Sequence, residues 1–159
     1  MNIRTKPQRF PSALNEAFEA LEDLLEGYNY TVFLWHYHDP AASPDDDLTT
    51  ILHRTLPKAE IVIGGSQSST AEELISDVST AISHVGDSGY GPIPVRIQSQ
   101  RFQELLRDTL DACRLICADS HIELFWLKKG HPAYPVFWDF AFAIRCEHGC
   151  DVLIGSSSD

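Results

Sequence analysis

The sequence predicts an α+β fold, with about four helices packed on a mixed sheet of about six strands and an antiparallel three-strand meander at the end. Three observations carry that expectation. Amphipathic helical stripes alternate with short apolar runs as far as residue 118, the pattern of helices covering a sheet. The last three apolar runs follow one another over short links with no helix between them, so they should pair antiparallel. The 159 residues, 43% hydrophobic and 22% charged, suffice for one core and lie near the globular average, so residues 1–159 read as a single domain.

Arg4, Lys6 and Arg9 precede the first acid, and residues 1–11 are expected to form a flexible basic arm. Pro11 and Ser12 open the first helix, with Ser12 as its N-cap. Leu14, Ala17, Phe18, Leu21, Leu24, Leu25 and Tyr28 recur at spacings of three and four, and Gly27 supplies the stop. Residues 30–38 form a strand, apolar or aromatic on both faces at its start and therefore expected inside the sheet. Residues 39–47, with Pro40 and Pro44, form a loop. A short helix over 47–56 turns Leu48, Ile51 and Leu52 inward.

Residues 59–63 read as a short buried strand and Gly64-Gly65-Ser66-Gln67-Ser68 as a turn. Ser69 and Glu72 then form a capping box, and the helix behind it carries Ala71, Leu74, Ile75, Val78, Ile82 and Val85 on one stripe. A Gly/Pro loop over 86–94 leads to a strand near 95–98. The long helix over 99–118 buries Phe102, Leu105, Leu106, Leu110, Cys113 and Ile116. Strands near 121–128, 136–145 and 151–155 complete the sheet, with Glu147-His148-Gly149 as a hairpin turn.

The formal net charge is −11 and unevenly placed: residues 10–80 hold two basic and thirteen acidic side chains, the whole −11. A field of that sign repels phosphate backbones and anionic membranes, so nucleic acid is disfavoured as a partner and a basic protein is favoured. No run of 18 apolar residues exists, and no apolar stretch follows the basic first dozen residues, so neither a membrane span nor a secretory signal is expected. Four cysteines in such a chain suggest free thiols and a reducing, cytoplasmic location.

The acids cluster. Glu16, Glu19, Glu22, Asp23 and Glu26 lie on the first helix with no basic residue between Ser12 and Gly27. Like charges at these spacings weaken a helix by a few tenths of a kcal/mol per pair. Asp45, Asp46 and Asp47 add to the same half. Tyr90 and Tyr134, in Gly/Pro loops, are the aromatic anchors such a surface would offer a partner.

Two other groups carry chemistry. His36 and His38, two apart on a strand, share a face, and with Asp39 (or His53 or the Asp45 loop) they would supply the three or four ligands that zinc requires. The plainer reading is two histidines at the wet end of a strand. His121, Glu123 and Asp139 would form an acid–base cluster if their strands present them on one face; otherwise Asp139 is held by Arg145 or a loop amide. The Cys113/Cys117 and Cys146/Cys150 pairs depart from zinc-knuckle spacing and read as core thiols. The Gly64-Gly65 segment lacks the lysine of a phosphate-binding loop and the three-glycine spacing of a dinucleotide site. No nucleophile elbow, kinase, Walker or His-Glu-x-x-His pattern is present.

In size, acidity and mixed α and β character the chain resembles small bacterial immunity and inhibitor proteins, a likeness that transfers no residues. It implies a binding module without a cofactor, neutralising a basic partner such as a toxin. The alternative is a small metal-assisted hydrolase, using a divalent metal such as zinc at the histidine pair and nearby carboxylates.

Overall fold

The computed structural model describes residues 9–56 and 60–159. Ser12 opens α1 (Ala13–Leu25), its hydroxyl accepting the N–H of Asn15 at 3.0 Å. β1 (Thr31–Asp39) follows, then α2 (Leu48–Thr55), β2 (Val62–Ser69) and α3 (Ala71–Ile82). The second half holds α4 (Pro94–Ile97), α5 (Gln100–Cys117), β3 (His121–Lys129), β4 (Asp139–Cys146) and β5 (Gly149–Ser158). The class is α+β, as the patterning predicts.

The strands form one sheet in the order β1-β5-β4-β3-β2, every neighbouring pair antiparallel. The closing meander is therefore β3-β4-β5, as expected from its short links. β4 and β5 are buried on both faces, which suits the nearly continuous apolar run of β4 and the apolar centre of β5, Val152 to Ile154. On one face α1, α3 and α5 pack Phe18, Leu21, Leu74, Ile82 and Phe102 against Leu34, Phe142, Ile144 and Leu153. On the other, α2 packs Ile51 and Leu52 against Phe125, Ala143, Val152 and Ile154. Because β1 and β2 are the two edges of the sheet, the chain between them must traverse a whole face, and α2 is what covers it.

Five expectations are corrected, the last of them the place of β1. The sheet has five strands among the described residues and is antiparallel throughout, not mixed with six. The segment near 95–98 is the short helix α4, a fifth helix, because Pro94 sits at its first turn with φ already set for a helix. Gly64 and Gly65 lie within β2, not in a turn. A Cβ at either would run into the indole of Trp126 on β3, so these glycines serve close approach, not a bend. The capping box is one residue later than read: the Thr70 hydroxyl accepts the Glu73 N–H, and the Glu73 carboxylate accepts the Thr70 N–H, each at 3.2 Å.

β1 is an edge strand, not an interior one. Of the arm expected over residues 1–11, residues 1–8 lie outside the described part, as does Ala59 of the expected 59–63 strand. Arg9 and Phe10 pack on the sheet beside β1. Among the described residues no helix is long and apolar enough to cross a membrane.

Candidate functional site

An edge strand leaves every second backbone N–H and C=O without a strand partner. On β1 those of Leu34 and His36 are met by side chains. The His36 N–H donates to Asn15 Oδ1 at 2.9 Å, and Asn15 Nδ2 donates to the His36 carbonyl and to that of Phe10, each at 2.8 Å. The Leu34 N–H donates to Glu22 Oε1 at 2.9 Å, and Arg9 donates to the Leu34 carbonyl at 2.8 Å. Arg9 also pairs with the other Glu22 oxygen and lies 4.1 Å over the Trp35 ring. One flank of α1 thus stands in for a sixth strand.

His36 and His38 do share a face, and both reach the same carboxylate oxygen. His36 Nε2 is 2.7 Å and His38 Nδ1 3.0 Å from Oδ1 of Asp151 on β5, the residue that pairs with His38 across the sheet. Ser12 Oγ lies 2.9 Å from His36 Nδ1. With Asp151 ionised and His36 neutral, the imidazole donates to Asp151 from Nε2 and its Nδ1 accepts the Ser12 hydroxyl proton. The Ser12 oxygen in turn accepts the Asn15 N–H. His36 is buried, Ser12 half-buried. The Phe10 ring meets His36 edge-on at 5.5 Å and stacks on His38 at 5.6 Å. Cys117 adjoins the cluster: burial, and then the Asp151 charge, push its thiol up to about 11.

Asp39 is not with the histidines. It points to the opposite face, where it accepts from Arg54 Nε at 2.8 Å and from the Ala41 N–H at 3.0 Å. His53 is exposed on α2. Among the described residues no three His, Cys, Asp or Glu side chains are arranged to hold a metal ion.

His121, Glu123 and Asp139 share a face but are not brought together. His121 pairs with Arg145 and Glu123 with Ala143, while Asp139 lies four positions from Ala143, about 13 Å at the rise of a strand. Glu123 is 3.5 Å from Arg145, which also donates to the Asp46 carbonyl. Asp139 is exposed and faces His131, whose pKa is lowered by burial against the opposing pull of the Asp139 charge.

Glu16, Glu19, Asp23 and Glu26 are exposed along the outer face of α1, and Glu22 alone of the five turns toward β1. Asp45 is exposed. Asp46 accepts from Ser43 N–H at 3.0 Å and Arg54 at 2.6 Å; the Ser43 amide first and then Arg54 hold its carboxyl below the usual range. Asp47 caps α2, accepting the Thr50 N–H at 2.7 Å.

Tyr90 is 50% exposed and stands beside a second exposed tyrosine. Tyr28 and Gly91 exchange two backbone hydrogen bonds of 2.9 Å, which joins the Tyr90 loop to the C-terminal end of α1 and leaves Tyr28 59% exposed. Tyr134 is more exposed still, on the β3–β4 loop among Lys128, Lys129 and His131. All four cysteines are free, and Cys113, Cys117 and Cys150 are buried.

Sequence reading missed the joint role of Ser12, Asn15, Glu22 and Asp151. Asp151 had a visible signal, an acid heading an apolar run, just as Asp139 interrupts the apolar run of residues 136–144. Comparison finds no protein-family model, curated protein or solved structure that matches this chain.

Proposed function

We propose that this protein is an acidic binding module that neutralises a basic partner protein, in the manner of an inhibitor or immunity protein. The observation behind this reading is the outer face of α1. Glu16, Glu19 and Glu26 are exposed there, the helix contains no basic residue, and its far end carries the exposed Tyr28 and Tyr90. Carboxylates in such a row steer a cationic surface into encounter. Tyrosines give the large, rigid contacts that hold it afterwards. Asp45 lies in the loop before α2, the helix on the opposite face of the sheet, and is not part of this row. Glu22 is committed to Arg9 and β1, and Asp47 to the cap of α2, so neither is counted among the contacts.

The test is capture at low salt by immobilised wild type and by the Glu16→Lys, Glu19→Lys, Glu26→Lys variant, eluted with a salt gradient. Wild type should retain a basic protein that moderate salt releases and the variant does not hold. With that partner purified, the reversals should slow association by about tenfold or more at low salt. Equal capture by both proteins, or an unchanged association rate, would sink the reading. Glu22→Gln serves as the internal control, lowering stability without changing the association rate.

A further inference from the structure

We infer that Ser12 is an activated hydroxyl nucleophile, with His36 as its general base and Asp151 as a positioning residue, acting on small neutral or cationic acyl esters. This stands independently of the binding reading, because it rests on the N-cap of α1 and its contact with β1; Glu16 alone is common to both.

The geometry is a continuous proton path: Ser12 Oγ to His36 Nδ1 at 2.9 Å, and His36 Nε2 to Asp151 Oδ1 at 2.7 Å. A nucleophile, a base within hydrogen-bond reach and a third group orienting that base are what activation of a hydroxyl needs. Capping alone does not account for it. An N-cap uses only the side-chain oxygen, which an Asp or Asn would also supply, whereas here the hydroxyl also lies 2.9 Å from an imidazole nitrogen. Anchoring does not account for it either, since Asn15 and Glu22 already tie α1 to β1.

Ser12 also sits at the positive end of a 13-residue helix. The N–H groups of Ala13 and Leu14 follow Ser12 directly in the chain and have no acceptor within the helix, so they are the donors available to a developing oxyanion. The exposed Phe10 and Pro11 favour an apolar acyl group, and Glu16 disfavours an anionic one.

In the step proposed, Ser12 Oγ bonds to the acyl carbon as its proton passes to His36 Nδ1. The bond to the leaving alkoxide breaks and the alkoxide takes that proton. Water then attacks the acyl-serine, giving one proton to His36, and the carboxylic acid leaves as Ser12 regains its proton. Cys117, held as a thiol, does not compete.

The experiment exposes the whole chain to an alkyl fluorophosphonate, which loses fluoride as its phosphorus bonds to an activated serine, and reads intact mass and peptide map. Native protein should gain one adduct, on Ser12, and chemically denatured protein none, a comparison that needs no variant to fold. Ser12→Ala should abolish the adduct, and His36→Gln should slow it by about 100-fold or more. With p-nitrophenyl acetate, Asp151→Asn should lower kcat with little change in KM, as expected of a group that acts through His36. No adduct on native protein, an adduct elsewhere, or an equal labelling rate in folded His36→Gln would overturn the assignment.

Discussion

Asn15 satisfies three backbone groups with one side chain, and it is 3% exposed. Asn15→Ala would leave the His36 N–H, the His36 carbonyl and the Phe10 carbonyl without that partner at a buried edge. A buried polar group deprived of its partner costs about 1–3 kcal/mol, and some relaxation toward solvent is available at an edge, so a loss of about 3 kcal/mol is expected from urea denaturation. A loss under about 0.5 kcal/mol, the range of an ordinary surface change, would mean that α1 does not close the edge of β1. The same residue shows how far the site could be read from sequence. Asn15 and Glu22 lie seven apart, two helical turns, and flank the apolar stripe of Leu14, Phe18, Leu21 and Leu25. That phase was available, yet composition placed Glu22 with Glu19 as one more acid of a solvated face. Strand alternation placed His36 and His38 side by side correctly. It could not supply Asp151, which lies 115 residues from His36 and meets it only because β5 pairs with β1.

Whole elements were most legible where a single period ran long enough to set the phase. α1 and α5 start and stop within a residue or two of their predicted ends, because their stripes, caps and stops agree. β2 was misread because glycine has two uses. A pair of glycines before a run of serines looks like a turn, and only the position of Trp126 on the neighbouring strand shows that the pair makes room for a ring. β1 was placed inside the sheet because its aromatics signalled burial. That burial is real, but a helix and Arg9 provide it in place of a second strand. The capping box was found by its pattern and misplaced by one residue, since Ser69-x-x-Glu72 and Thr70-x-x-Glu73 overlap. The structure separates the two. Thr70→Ala removes the cap of α3 and should cost about 1 kcal/mol in thermal or urea denaturation. Ser69→Ala removes only an exposed hydroxyl bonded to the Glu73 carboxylate and should cost clearly less. The reverse ranking would place the cap of α3 at Ser69.

At the scale of the molecule, packing on both faces of the sheet determines how stability depends on pH. Cys113 in α5 and Cys150 in β5 belong to opposite core layers, and burial pushes both thiols up from an ordinary value near 9 to about 12; Cys117 is pushed to about 11. A folded value above the unfolded one means that the native state holds the proton longer, so the unfolded chain binds fewer protons once the pH passes 9. The contribution of these thiols is complete below pH 9 and is lost as the pH rises through 11 and 12. Burial also raises Tyr30 and Tyr37 above 10, which steepens the fall beyond that point. His131 acts on the other side. Burial lowers its value from 6.5, so its contribution is present above 6.5 and is lost as the pH falls below it. The melting temperature should therefore fall steeply above pH 9, and His131→Gln should flatten its slope just below pH 6.5. Thiol reactivity checks the alkaline limb independently. At pH 8 the native protein should react with a disulfide reagent at Cys146, the half-buried cysteine, and release the signal of all four thiols only when denatured. Rapid reaction of Cys113 and Cys150 in native protein would mean that the layers on the two faces of the sheet are not closed, and the alkaline limb would then have to come from other groups.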